Sequence, residues 1–515
     1  MGEIVVIGAG AAGLAAAARL SRGGNTVTVL EQAAAVGGAL VTGRDAASAE
    51  GFDTGAHTLT MPAVYRDLFV KTGSRKASAK ASFEENVELR PVDPVRRHVF
   101  ADGTVLDLPN SSRSGLLRGF DAALGPGAGR SWLRVTEHGA AAWELLRPAW
   151  FEAPRATGRD LQFLLADRAN RRVLTPRKNL RKLAKSWFDD PRLGLLLDEY
   201  ALAAGADPRR APGILAMAPY LELAFGAWRI AGGLSSLAEA LHRRALARGV
   251  TFRLGCRAVR ISTAADGSVD GVLLADGTRL PADTVIVAAD VTQLAELTAG
   301  AGGSARAGIG HSSYPSHSDY SHSLFTVLLR VPGAPAQPHE AVYFAGHDKA
   351  AVESRLADVF GQAARPVADP TIRLCVSAEQ PECWSVHTIA ARHGNGPGAL
   401  DWTAPGLAES YARTLTACLV NRGILSGETA TGHELVRFIS PADRESATGS
   451  PGGAAYGPAA NDLESVLLRS AITRPAAGLH HVGASARPGS GLPFAALSAW
   501  HLNELVNPPK ATRSG

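Results

Sequence analysis

Residues 3–31 constrain this chain more than any other stretch. Ile4-Val5-Val6-Ile7 is a short β-branched run of the kind that forms a buried parallel strand. It leads directly into Gly8-Ala9-Gly10-Ala11-Ala12-Gly13, and an Ala-rich helical segment follows over 14–22. A second strand is predicted over 26–30, ending at Glu31. Strand, G-x-G-x-x-G, helix, strand and acid make one βαβ unit, and each part has a physical task. Gly8 permits a tight turn, Gly10 lets a pyrophosphate approach the backbone, and Gly13 lets helix and strand pack closely. The helix N-terminus offers free N–H groups and the positive end of its dipole to the phosphates. Glu31 can accept hydrogen bonds from both ribose hydroxyls. The unit predicts a dinucleotide site.

Val36-Gly37-Gly38 and Gly51-Phe52-Asp53-Thr54-Gly55 come next. Both resemble segments of flavoproteins of the glutathione-reductase and amine-oxidase type, in which a Gly-Gly pair follows the ribose-binding acid and sits near the phosphates. The resemblance implies FAD and not a nicotinamide. Ala39 is a departure, because those proteins carry Arg or Lys directly after the Gly pair. A phosphate or flavin contact is then expected from elsewhere, with Arg44 as the candidate.

Two later stretches resemble the rest of a flavin domain. Gly232-Gly233 precedes a predicted helix with Leu234, Leu237 and Leu241 at helical spacing. A strand over 256–261, a hairpin turning at Asp276-Gly277 and a buried strand over 283–289 follow. In related flavoproteins the backbone at the position of Val259 meets the adenine. The last stretch runs over 478–493 into a helix predicted over 494–505. There the resemblance implies a helix N-terminus facing the pyrophosphate and the N1–C2 edge of the flavin, where positive potential stabilises the reduced anion. The residues it puts on the cofactor are Gly8, Gly10, Ala11, Ala12, Gly13, Glu31, Gln32, Gly37, Gly38, Ala39, Val259, Gly483, Ala484, Gly491, Leu492 and Pro493.

Nearly end to end, the chain resembles bacterial-type phytoene desaturases and their carotenoid-oxidoreductase relatives, within the amine-oxidase-like flavoproteins. Gly8 to Gly13, residues 51–62 and 220–233, Asp369-Pro370-Thr371-Ile372, Pro441-Ala442-Asp443, Gly452-Gly453-Ala454, Tyr456-Gly457 and residues 483–493 carry the likeness. It implies an α/β fold with a discontinuous Rossmann-like FAD-binding domain of the glutathione-reductase and amine-oxidase type, built from 1–62, 228–293 and 470–515. A mostly helical substrate- or membrane-facing insertion is expected over 63–227, and an α+β substrate domain with a sheet over 294–469. The implied activity is FAD-dependent desaturation of a long apolar, phytoene-like polyene by hydride transfer to flavin N5. An isomerase or saturase of the same family, a flavin amine oxidase or dehydrogenase acting on a smaller metabolite, and a non-catalytic flavin or lipid carrier would all share the flavin domain. Two further departures lie near the flavin. Arg487 stands where the family has His before Pro-Gly, and Ala56-His57 follows Gly55 where the family has Gly-Pro. His57 is the candidate proton acceptor and Arg487 the candidate charge facing the flavin.

The remaining signals concern partners. From Pro176, placed at a first helical position, Leu180, Leu183, Ala184, Trp187 and Phe188 fall on one helical face. Arg177, Lys178, Arg181, Lys182 and Lys185 fall elsewhere, and Arg168, Arg171 and Arg172 lie just upstream. Segment 176–188 therefore reads either as a helix lying on a membrane surface or as a surface helix packed on the core. A strand over 323–329 is expected as a floor beneath the substrate, and His311, His317 and His322 before it have no metal-ligand spacing. Hence no metal is expected. A net charge of +5 over 515 residues gives no footprint for nucleic acid. Cys256, Cys375, Cys383 and Cys418 form no C-x-x-C pair, which points to a reducing cytoplasm. Residues 4–20 are interrupted by glycines and lack a basic leader, and no later run of about 20 apolar residues occurs. The expected place is the cytoplasm, with peripheral contact on the inner face of the cell membrane.

Overall fold

Strand Glu3–Ile7 lies at the centre of a five-stranded sheet. Thr26–Leu30 and then Thr251–Arg253 lie on one side of it, and Thr284–Val287 and then Leu479–His481 on the other, all parallel. The computed structural model describes residues 2–40, 51–52, 58–73, 82–299, 319–469 and 476–508. The strands read as near-continuous apolar runs because both faces of the sheet are covered. Ile4, Val6, Val27, Val29 and Ile286 pack beneath helices Ala11–Leu20, Leu234–Ala247 and Leu492–Val506. Val5, Ile7, Val285 and Val287 face the antiparallel meander Ala258–Thr263, Val269–Leu274, Arg279–Pro281 and helix Val291–Thr298. The N-terminal, middle and C-terminal stretches thus each supply strands to one sheet.

The N-terminal stretch extends beyond residue 62. Helix Ala63–Thr72 buries Tyr65, Leu68 and Phe69 in the same core, with Phe83 and Val87 beside them. The Tyr65 hydroxyl donates to the Leu492 carbonyl at 2.8 Å.

A second sheet has seven strands in the order Glu434–Ile439, Ser323–Arg330, Cys383–Ala390, Ile372–Val376, Glu340–Tyr343, Arg96–Val99 and Val105–Leu108. The last two come from the stretch expected to be mostly helical. They join the sheet through parallel pairing of Arg97 with Ala341 and antiparallel pairing of Arg97 with Asp107. One face of this sheet packs Phe325, Val327, Leu374 and Val386 against helix Leu407–Asn421. The other face looks into the molecule, towards helix Pro191–Ala203 and the first sheet.

Segment 176–188 corrects the amphipathic-helix expectation. Pro176 lies in a turn after Thr175, whose backbone is left-handed (φ 44°). The helix spans only Leu180–Ala184, capped by the Asn179 side chain, which accepts from the Lys182 N–H at 2.8 Å. Leu180, Leu183 and Ala184 are buried. Phe188 stacks on Trp132 with ring centres 6.1 Å apart, and Trp187 tilts against His138 at 5.7 Å. Arg181 pairs with Asp198 and Glu353. The apolar face is spent inside the protein and cannot lie on a bilayer. Among the described residues no helix is long and apolar enough to cross a membrane.

The helical insertion is fastened to the nucleotide-binding layer by two buried groups. His501 Nε2 donates to the Phe151 carbonyl at 2.7 Å. Burial, with the charge of Arg487 beside it, pushes the His501 pKa down to about 4. The unfolded chain therefore binds a proton below pH 6.5 that the folded chain refuses until about pH 4. This stabilisation, on the order of 3 kcal/mol, is present above pH 6.5 and lost as pH falls towards 4. Thermal midpoints should fall across that window, and less steeply in His501→Gln, which keeps an N–H donor without titrating. An equally steep fall in the variant would refute the assignment.

Candidate active site

Gly8 ends the first strand with φ at +106°, and a Cβ on Gly13 would come within 2.0 Å of its carbonyl oxygen. That contact brings helix Ala11–Leu20 against the strand and aims its first turn at the space beyond. Gly10 faces that space, since a Cβ there would meet no protein atom within 4 Å. The Gly37-Gly38 loop closes over the same point, with the Gly37 N–H donating to Ala9 O at 2.9 Å. Glu31 accepts from Ala9 N–H at 2.8 Å and Ala33 N–H at 2.9 Å, which fixes its carboxylate at the rim.

A cavity of about 910 Å³ runs from this cradle to the inward face of the second sheet. Gly8, Gly10, Ala11, Ala12, Glu31, Gln32, Gly37, Gly38, Ala39, Val259, Gly483, Ala484, Gly491, Leu492 and Pro493 line it. Gly13 stands behind the lining, where it sets the helix-to-strand distance. The chemistry of this lining fits a dinucleotide. Two glycine-led helix N-termini, at Ala11 and Leu492, suit a pyrophosphate, Glu31 suits a ribose, and small side chains leave room for the backbone approach.

Two expected catalytic residues fare differently. His57 lies outside the described residues, as do Arg44, His311 and His317. Arg487 does not line the cavity, which corrects its reading as a charge facing the flavin. Its guanidinium lies 4.4 Å from the Trp150 ring centre and donates to the carbonyls of Trp150, Ala153 and Ala156. The side chain is thus drawn into the helical insertion by a cation–π contact and three acceptors. Burial pushes its pKa down to about 10.

His322, read from sequence as one of several incidental loop histidines, is instead a wall of the cavity. It immediately precedes strand Ser323–Arg330 and packs against Phe360 and Tyr456. Burial pushes its pKa down to about 4, so it is neutral near pH 7. No group of three or more metal-ligating side chains occurs among the described residues.

The inner end of the cavity holds charges that no local motif announces. Arg96 pairs with Glu340 at 2.7 Å, Glu199 at 3.2 Å and Glu222 at 3.4 Å. Arg373 pairs with Glu199 and Glu340, each at 2.9 Å. Burial alone would raise the Glu199 carboxyl, but Arg96, His98 and Arg373 hold it well below the usual carboxylate range. The one local signal was an arginine inside an apolar strand, Ile372-Arg373-Leu374. Tyr456 also lines the cavity, whereas Trp228 and Trp500 do not. The Trp228 indole donates to the Phe225 carbonyl, and Trp500 packs into the helical insertion. These three rings therefore form no pair flanking the cavity.

A family model for flavin containing amine oxidoreductases matches residues 11–319. The chain belongs to that family. It is an FAD-dependent oxidoreductase. A hydroxyneurosporene desaturase of Cereibacter sphaeroides is 31% identical over 99% of both chains. A second, from Rubrivivax gelatinosus, is 29% identical over 96% of this chain and 91% of its own. A 4,4'-diapophytoene desaturase of Staphylococcus aureus is 23% identical over 96% and 97%. Among solved structures, putrescine oxidase bound to putrescine superposes with a TM-score of 0.60 at 15% identity, covering 98% of each chain. An oxidoreductase from Methanosarcina mazei gives 0.58 at 16%, covering 98% of this chain and all of its own. These two share the fold.

The glycine geometry separates two roles in this flavoprotein. Gly10→Ala should leave the unfolding midpoint of the FAD-free protein unchanged, because its Cβ meets only the cavity. Its FAD dissociation constant should rise by at least about tenfold, or 1.4 kcal/mol. Gly13→Ala should lower both the midpoint and the affinity, since helix and strand must separate. Calorimetry and FAD titration read both effects, and an unchanged affinity in Gly10→Ala would remove Gly10 from the cradle.

Proposed function

We propose that this enzyme desaturates a long polyene. What carries the reading is full-length similarity to a hydroxyneurosporene desaturase. The cavity supports it in two ways. It joins the dinucleotide cradle to a sheet floor, and it lacks the aromatic pair that Trp228 or Trp500 with Tyr456 would have supplied for an amine-oxidase site.

In this reading FAD is held by Glu31 at its ribose, by the Gly8–Gly13 turn and Leu492–Pro493 at its pyrophosphate, and beside Val259 at its adenine. When bound, FAD supplies the hydride acceptor for a reaction in which adjacent carbons lose a hydride and a proton and gain a double bond. The protein lays the chain of the substrate along Leu324, Val342, Phe344 and Ile389, and excludes water between helix Pro191–Ala203 and the sheet. Neutral His322 adds no charge to this wall near pH 7. Incubation with candidate polyenes should give a red-shifted product two hydrogens lighter. A product of equal mass would mark an isomerase, one two hydrogens heavier a saturase, and no change with any polyene would defeat the reading.

A lipid-soluble substrate calls for contact with a membrane, and we assign that contact to helix Gly158–Ala166 in place of segment 176–188. Phe163 there is 70% exposed, with Arg155, Arg159, Arg168, Arg171 and Arg172 exposed on the neighbouring turns. An exposed ring among arginines suits an anionic headgroup layer. Phe163→Asp should weaken co-sedimentation with anionic vesicles more than neutralising Lys178, Lys182 and Lys185 does. Equal or unchanged binding would refute the assignment.

A further inference from the structure

The floor of the cavity is polar in one row only. Thr326, His387, Arg373 and Val342 lie directly opposite one another on four adjacent strands, so they share a face. His387, Arg373 and Val342 line the cavity. The reverse face of the same strands is apolar, with Phe325, Leu374 and Val386 in the core. A floor for a plain hydrocarbon needs no such row.

Three donors converge on it. Arg373 sits on an interior strand yet keeps 29% of its side-chain surface open, and that open surface is cavity wall. Its two ion pairs use two of five N–H donors. Arg444 lines the same wall at 7% exposure, and its Nε has no hydrogen-bond partner. Its Nη2 reaches only Thr326 Oγ1, at 3.4 Å. Tyr456 lines the wall too, and burial keeps its hydroxyl protonated and able to donate. The charges balance, because Arg96, Arg373 and Arg444 face Glu199, Glu222 and Glu340. A balanced site with spare donors takes a neutral acceptor and gains nothing from a carboxylate.

We propose that the cavity selects a polyene bearing a neutral oxygen, a hydroxyl or carbonyl near one end, through hydrogen bonds donated by Arg373, Arg444 and Tyr456. The proposal rests on the desaturase reading and adds the group that determines which polyene is taken. A hydrocarbon end would leave the donors facing carbon, whereas an oxygen end satisfies them.

The test uses the FAD-loaded protein with hydroxyneurosporene and its parent hydrocarbon, neurosporene. Binding is read by quenching of intrinsic fluorescence, and turnover by anaerobic bleaching of the flavin band. The parent enzyme should prefer the hydroxylated polyene by at least about tenfold in both Kd and kcat/KM, the worth of one hydrogen bond to a charged group. Arg373→Met should abolish the preference by weakening only the hydroxylated polyene. Tyr456→Phe removes a single oxygen, should reduce the preference, and decides the matter if Arg373→Met does not fold. Equal handling of the two polyenes by the parent enzyme, or an undiminished preference in the folded variants, overturns the proposal. A preference in binding without flavin bleaching by either polyene supports the oxygen site and defeats the desaturase reading instead.

Discussion

The contact between the Gly13 Cα and the Gly8 carbonyl is the dimension from which the rest of the site is laid out. No Cβ fits there, so the first helix rests on the first strand and its N-terminus arrives at the mouth of the cavity. The Gly37-Gly38 loop, the Glu31 carboxylate and the second helix N-terminus at Leu492 are all placed relative to that junction. Because the sheet is covered on both faces, the strand cannot shift to relieve a clash. The site is therefore rigid on its nucleotide side.

On the substrate side, rigidity has another source. The buried arginine–glutamate network ties strand Arg96–Val99, helix Pro191–Ala203 and strands Glu340–Tyr343 and Ile372–Val376 to one another. Such a network is weak evidence for net stability, since desolvating its members offsets much of their attraction. Its members are better regarded as orienting groups, with Arg373 held by two carboxylates while the rest of its surface faces the cavity. Arg487 plays a comparable part at the joint between layers, holding three carbonyls of the helical insertion in place.

What the sequence made legible was local. The βαβ unit, the helix after Gly232-Gly233 and the strand ending at Val287 are announced by periodicity and by glycines within a few residues of one another. The lining positions beside them followed from the family pattern. The features that escaped depend on pairing over long separations. Nothing near Arg97 says that it will lie beside Ala341, and nothing near Trp187 says that Trp132 and His138 will cover its face. A helix wheel for 176–188 shows an apolar stripe but cannot say whether lipid or protein meets it. His322 was passed over for the same reason, because its partners Phe360 and Tyr456 come from distant segments. Arg487 was placed on the flavin side because its neighbours are there, while its side chain follows three carbonyls in the opposite direction.

The interleaving of the two sheets also governs how such a chain can be completed. The strand at 479–481 closes the nucleotide-binding sheet beside 284–287, and the strand at 96–99 waits for 340–343 before the substrate sheet can form. Neither sheet is finished by a contiguous length of polypeptide, so neither can be cut out as an autonomous unit. Long-range pairing of this kind slows folding and leaves strand edges open while partners are missing. A chain emerging in order would carry its glycine turn from the first residues, yet hold no finished cradle until its final helix docked. Capture of FAD would then mark the end of assembly, and the cofactor would act as the fastener of a fold whose two ends meet at its phosphates.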